Sequence, residues 1–241
     1  MLLATQSESP SINVQDYVIP PDQVTDEDII KRIKAGDVDA YGSILRRYNQ
    51  RIFRIARSIV TNDAAAMDIV QEAHIKAYTK LDTFKGNSTF FSWLASITRN
   101  EALMYLRKHK REVSMLDDEM DFLEPSISKG SSVDHNELPD AFLENKQLQQ
   151  LINHNIDKLP EDFRIVFVLR AIEQFSVKEV ADILEIKEET VKTRYFRAKR
   201  LLRGQIQVYV DSVGMKIYEF GGHHCDIIVD RVMNFIHKES Q

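Results

Sequence analysis

The 241-residue sequence predicts an all-α protein: two small helical domains joined by a flexible acidic linker, with a short C-terminal extension. Three observations predict it. Apolar residues recur at spacings of three and four over two long stretches, and no convincing strand pattern precedes residue 207. Between those stretches, at 112–140, Glu112, Asp117, Asp118, Glu119, Asp121, Glu124, Asp134, Glu137 and Asp140 face a single Lys129, with Pro125 and Gly130 to interrupt any long element. Each flanking stretch also ends in a basic helix, so the net charge of −5 comes from acid concentrated in the tether and on separate faces.

The elements follow in order. Residues 1–24 are polar, contain Pro10, Pro20 and Pro21, and read as a loose leader. Asp26, Glu27 and Asp28 open a first helix and Gly36 stops it. Tyr41, Ile44, Leu45, Tyr48, Ile52, Ile55 and Ile59 mark the second, which Asn62-Asp63 breaks. A third, about Ala64 to Lys80, turns Met67, Val70, Ala73, Ala77 and Leu81 inward and leaves Asp68, Gln71, Glu72 and Lys76 facing elsewhere. A polar loop at 82–88 leads into a fourth helix that ends in Arg107, Lys108, His109, Lys110 and Arg111. Trp93, Leu94 and Ile97 have core spacing.

After the tether, helical pattern resumes from about Ala141 to Asp157, and Pro160 takes a first-turn position before Phe163, Val166, Phe167, Leu169 and Ile172. Ser176 and Glu179 then stand in capping-box spacing ahead of Val177, Val180, Ala181 and Leu184. A break at 185–187 precedes a helix whose first turn is acidic, Glu188 and Glu189, and whose body carries Lys192, Arg194, Arg197, Lys199, Arg200 and Arg203. Val191, Tyr195, Ala198 and Leu202 form its inward stripe. Two short helices joined by a tight turn, the second basic, suit insertion into the DNA major groove. A helical hairpin with a solvated basic face is the plainer reading of the same charges.

In the tail, Met215 to Phe220 alternates like a short strand and Gly221-Gly222 breaks it. Cys225, Ile228, Val229, Val232 and Ile236 share one face of a last helix, expected to dock on the second domain or on a regulator. His223, His224, Cys225 and His237 lack the paired spacing of a metal site, so neither metal nor other cofactor is expected. One cysteine excludes an internal disulfide framework and fits a reducing cytoplasm. No apolar run approaches the ~20 residues that span a bilayer, so no membrane insertion is expected. The first residues lack a basic n-region of a signal peptide. There is no Gly-rich phosphate loop, nucleophile elbow or paired-carboxylate arrangement to support an enzyme.

Three motifs carry a family resemblance. Asp68-Ile69-Val70-Gln71-Glu72-Ala73 with Ala77-Tyr78 resembles the D-x-V-Q-E signature of region 2.2 of the sigma-70 family, in its compact extracytoplasmic-function (ECF) type. Phe91 to Asn100, continuing to Leu106-Arg107-Lys108, resembles regions 2.3 and 2.4. Leu159-Pro160 through Val191-Lys192-Thr193-Arg194 and Arg197-Ala198 resembles region 4. The resemblance implies a sigma region 2 domain at 25–111, a linker at 112–140, a region 4 helix-turn-helix domain at 141–206 and an extension at 207–241. It implies a promoter-recognition subunit whose partners are core RNA polymerase, promoter DNA and, often in this family, an anti-sigma factor. By the resemblance, Asp68, Gln71 and Glu72 dock on core polymerase. Lys85, Asn87, Ser88 and Phe90 take an unstacked base of the −10 element, flanked by Arg99, Asn100, Arg107, Lys108, Lys110 and Arg111. Asn100 has bracing of its own helix as an alternative role. Lys192, Thr193, Arg194 and Arg197 read the −35 duplex while Lys199, Arg200 and Arg203 neutralise phosphates. Asp117, Asp118, Glu119 and Asp121 either mimic RNA charge in a polymerase channel or belong to an inert tether. An autonomous helix-turn-helix regulator is the rival reading; it leaves the Asp68 face and the tether without purpose. One departure stands out: the family often has Gly where this chain has Glu185, and a non-Gly residue in a left-handed turn costs about 1 kcal/mol.

Overall fold

The computed structural model describes residues 24–117, 140–202 and 217–240, with side chains described at 24–110, 149–202 and 217–240. Outside the described residues lie the leader, the linker acids Asp118, Glu119 and Asp121, Arg203, Met215 and Lys216, and the side chains of Arg111 and Asp117. Every regular element among the described residues is helical.

α1 (Asp26–Lys34) starts where the Thr25 hydroxyl accepts from the Asp28 amide at 3.2 Å, and its three first-turn acids meet the positive end of the helix. Gly36, at φ 99°, turns the chain out into a 3-10 turn, Val38–Ala40, and then α2 (Tyr41–Val60). Thr61, left-handed at φ 53°, ends that run, and Asn62 starts the next: its side chain accepts from the Ala65 amide at 2.8 Å and caps α3 (Asp63–Thr79). After a second 3-10 turn, Leu81–Thr83, the Thr89 hydroxyl accepts from the Ser92 amide at 3.1 Å at the head of α4 (Phe90–Asp117). α4 runs past Arg111, so the first acidic residues of the expected tether are helical.

α2, α3 and α4 pack together around fully buried Ile44, Leu45, Ile52, Ile55, Val70 and Leu94. His74 is buried there too. Tyr41 Oη donates to the His74 carbonyl at 2.9 Å and faces Nδ1 at 3.3 Å, while Nε2 has no partner. Burial keeps this imidazole neutral and pushes its pKa down to about 3.

The second unit comprises α5 (Asp140–Asp157), α6 (Glu161–Phe167), α7 (Val177–Leu184) and α8 (Glu188–Leu202). Pro160 stands at the N-cap of α6, one place ahead of the first-turn position expected. A widened π turn, Val168–Ile172, follows α6; it takes an extra residue, advancing the facing direction just before Glu173. Arg164 ties this unit to α2. Its buried guanidinium donates to the carbonyls of Ser58 (2.5 Å), Asp157 (2.9 Å) and Leu159 (3.0 Å), at the ends of α2 and α5. Terminal carbonyls lack intrahelical donors and carry the negative end of the dipole, so one cation caps two helices.

The tail departs from expectation twice. Ile217 to Phe220, the described part of the expected strand, forms no ladder, and Tyr218 adopts φ 43°. Ile217, Tyr218 and Phe220 are buried while Glu219 is exposed, so its alternation reflects a segment wedged between packed surfaces. α9 (His223–Glu239) buries Ile228, Val229, Val232, Met233 and Ile236 against α2 and α3, in the first domain and not the second.

The His74 geometry fixes a pH dependence. The unfolded imidazole protonates near 6.5 and the folded one only near 3, so the unfolded chain binds the proton first and stability falls as pH drops through that window. His74→Phe should shrink the stability loss between pH 6.5 and roughly pH 5 by about 2 kcal/mol, at ~1.4 kcal/mol per pH unit, in urea melts at the two pH values.

Candidate nucleic-acid interface

The α7–turn–α8 pair is built as its sequence demands. The Glu179 amide donates to Ser176 Oγ at 3.1 Å and the Ser176 amide donates back to Glu179 Oε2 at 2.8 Å. Burial works against the Glu179 charge, but donors from Ser176 and Ser92 and the nearby Arg170 hold its carboxyl below the usual range. Glu185 closes α7 in the left-handed conformation, φ 54° and ψ 44°, so the turn keeps its shape despite the missing glycine.

α8 buries Val191, Ala198 and Leu202 and presents Lys192, Thr193, Arg197, Lys199 and Arg200 to solvent. Thr193 Oγ1 donates to the Glu189 carbonyl at 2.8 Å. Arg194 is placed differently from expectation: it is half-buried and paired to Asp162 of α6 at 2.7 Å, which braces α8 against α6. Sequence reasoning overlooked Phe196, 67% exposed beside these cations. It lines an open cleft of about 420 Å³ with Arg170, Val177, Tyr195, Lys192, Lys199 and Arg200. An exposed aromatic inside the basic run Arg194–Tyr195–Phe196–Arg197 was the available signal.

On the first domain, Lys85, Asn87 and Ser88 are exposed on the loop before α4. Phe90 is not available to stack on a base: it is buried to 3%, packed by Tyr48, Phe84 and Trp93 with centroids 5.6–6.0 Å away. As first residue of α4 it anchors the helix in the core, and half-buried Trp93 packs beside it. Asn100, Arg107, Lys108 and Lys110 are exposed along α4. Asn100 Oδ1 accepts from its neighbour Arg99 Nη1 at 3.1 Å. On α3, Asp68 and Glu72 are exposed, whereas half-buried Gln71 accepts from Arg231 of α9 at 3.4 Å.

The two domains meet where α4 packs on α7. Arg99 donates to Glu185 Oε1 (2.9 Å) and to the Leu184 carbonyl (3.1 Å), in the turn between α7 and α8. Ser92 donates to Glu179 at 3.0 Å, and Phe91 stacks on Phe175 at 4.7 Å. Along α2, Arg51 (2.7 Å) and Arg54 (3.1 Å) share Glu173, whose side chain is 1% exposed, and the Arg51 guanidinium lies 3.6 Å over Phe91. Arg57 grips both oxygens of Asp157 at 3.0 Å, and Tyr218 Oη donates to the same carboxylate at 2.6 Å. Burial and Asp157 push the Tyr218 phenol up, so it stays a neutral donor.

No group of three or more His, Cys, Asp or Glu among the described residues is placed to hold a metal ion. His223 and His224 are exposed, and Cys225 Sγ accepts from Asn49 Nδ2 at 3.2 Å. No described helix is long and apolar enough to cross a membrane.

Comparison with known proteins places a family model on each of the two helical units. The family model for sigma-70 region 2 matches residues 44–112, and that for sigma-70 region 4 matches 149–202. The ECF RNA polymerase sigma-E factor of Escherichia coli strain K12 is 32% identical over 188 residues, covering 77% of this chain and 96% of the relative. The ECF RNA polymerase sigma factor SigW of Bacillus subtilis is 35% identical over 178 residues, covering 74% and 95%. Among solved structures, CnrH in complex with the cytosolic domain of CnrY shares the fold, with a TM-score of 0.50 at 22% identity, covering 75% of this chain and 96% of that one.

The shared carboxylate makes a direct prediction. Glu173→Gln keeps the shape but leaves two guanidinium groups around a neutral amide, and should cost about 2 kcal/mol in urea denaturation followed by circular dichroism. A change below about 0.5 kcal/mol would mean that Glu173 contributes packing alone.

Proposed function

Because the chain belongs to the ECF group of the sigma-70 family, and so serves as an RNA polymerase sigma factor that binds core polymerase and directs promoter recognition, we propose a division of labour among its surfaces. Residues 25–111 engage core polymerase and the −10 element, 112–140 tether, 141–206 clamp the −35 duplex and 207–241 form an extension. The work is that of an initiation factor in the cytoplasm, without catalysis of its own. An anti-sigma factor is a further partner on this reading. The autonomous-regulator alternative is not favoured, because full-length sigma factors match most of the chain.

The observation that carries the residue-level reading is a pair of exposed basic helical surfaces, Arg107, Lys108 and Lys110 on α4 and Lys192, Arg197, Lys199 and Arg200 on α8. Lys192, in the N-terminal half of α8, is the leading reader of base edges, and Arg197, one turn beyond exposed Thr193, is the second. Arg194 is assigned a positioning role through Asp162. Lys199 and Arg200 neutralise phosphates. Lys85, Asn87 and Ser88 receive the flipped −10 base without Phe90, and Asp68 and Glu72 dock on core polymerase with Gln71.

The names of the two elements put them about 25 base pairs apart, roughly 85 Å of duplex at ~3.4 Å per pair. Arg99 touches Glu185, so the described arrangement is a closed one that must open on a promoter.

Transcription with core polymerase over a promoter library tests this reading. Wild-type protein should select promoters sharing both elements. Lys192→Ala should change the −35 preference by about 1–3 kcal/mol, whereas Arg200→Ala should weaken all promoters alike and reduce the salt slope by about 1. Failure to direct transcription, with tight duplex binding by the free protein, would return the autonomous regulator. In a pull-down, Asp68→Ala with Glu72→Ala should weaken core binding about tenfold; unchanged affinity would remove α3 from the docking surface.

A further inference from the structure

We propose that the C-terminal segment from Ile217 to Ser240 is an intramolecular clasp that holds the two DNA-binding domains closed and must release before the promoter is gripped. The inference rests on the promoter-binding reading of α4 and α8.

The short stretch before α9 bonds to both domains at once. On the α2 side, Gln50 Nε2 donates to the Tyr218 carbonyl (2.8 Å) and the Phe220 amide donates to Gln50 Oε1 (2.6 Å). Arg54 Nε donates to the Ile217 carbonyl at 3.1 Å, and Phe220 stacks on Phe53 at 4.3 Å. On the α5 side, the Tyr218 amide donates to Asn153 Oδ1 (3.2 Å) and its hydroxyl to Asp157 (2.6 Å). Its ring also lies under the Arg57 guanidinium, 4.8 Å away. Tyr218 is thus held by α2 and α5 together, and an opening of the domains has to give up one set of bonds.

Two features distinguish a clasp from ordinary packing. The joining stretch reaches the α5 side through two hydrogen bonds from Tyr218 and places that residue at φ 43°, a backbone state that L-residues other than Asn and Asp seldom adopt and that persists only under tight restraint. Its anchor is strong by contrast: α9 buries five apolar side chains on α2 and α3, supported by Arg46–Asp226 (3.5 Å) and His237–Asp39 (2.6 Å). A firm anchor on one domain with a strained hook hydrogen-bonded to the other lets the hook release while the anchor stays. The anchor also borders the candidate polymerase face, where Arg231 of α9 donates to Gln71 at 3.4 Å.

The closed form has a functional consequence. It keeps Arg99 bonded to the turn between α7 and α8, and a ligand that needs the open form binds with an apparent affinity reduced by the open fraction.

The test uses the full-length chain. In Tyr218→Ala with Phe220→Ala, the scattering radius of the free protein should increase while helicity is kept. The sigma concentration giving half-maximal transcription with core polymerase should fall about tenfold. Tyr218→Phe, which loses only the hydroxyl donated to Asp157, serves if the double variant fails to fold; it should lower that concentration about threefold. An unchanged radius in a variant of native helicity overturns the clasp. An increased radius with an unchanged half-maximal concentration overturns its inhibitory role. An increased radius with no transcription from either wild type or variant supports the clasp and overturns the promoter reading instead.

Discussion

The arginine row on one face of α2 is the constraint on which the closed molecule depends. Arg51, Arg54 and Arg57 follow at intervals of three, so they share one side of the helix while Ile52, Ile55 and Ile59 fill the core on the other. Each arginine takes a partner from beyond the first domain: Glu173 for Arg51 and Arg54, Asp157 for Arg57, and the Ile217 carbonyl for Arg54 again. A carboxylate as buried as Glu173 is tolerable only with such partners, since removal from water costs several kcal/mol. One helix therefore writes both the core of its own domain and the seam to the next.

The chemistry of that seam suits a joint that opens. It adds guanidinium–carboxylate pairs, carbonyl caps and the Phe91–Phe175 stack to an apolar core that runs through both halves. The charged groups of the seam can be rehydrated when the halves part, as in contacts between domains of one chain. Arg99 gives the seam its link to function. The same guanidinium that would face promoter DNA caps α7 through the Leu184 carbonyl and pairs with Glu185. Glu185, the residue standing where the family often has glycine, gains a partner in this closed state that glycine could not supply.

Much of this was legible in the sequence, and what was not has a common cause. The helices declared themselves because each signal was local: Ser176 and Glu179 as a capping box, Gly36 and Asn62-Asp63 as breaks, isoleucines at helical spacing, and the basic stripe on α8. Phe90 was misread because a polar loop precedes it, yet its neighbours Tyr48 and Trp93 make a core site that only packing reveals. Arg194 was grouped with its basic neighbours although Asp162, far away in sequence, claims it. The tail was misread for the same reason. Buried Tyr218 and Phe220 alternate with exposed Glu219 as a strand would, but the surfaces they meet come from α2 and α5. The arginine row itself was visible as positions 51, 54 and 57, but its meaning depended on acids 100 to 122 residues away.

The most direct test of the account is a distance. Spin labels at Lys80→Cys on the first domain and Asp182→Cys on α7, in a Cys225→Ser background, report the separation of the domains in the free protein and in the promoter-bound holoenzyme. The account predicts one short distance in the free protein that gives way to a separation longer by tens of ångströms on the promoter, where the two elements lie roughly 85 Å apart. A free protein already broadly distributed at long distance, or a bound state as short as the free one, would contradict it.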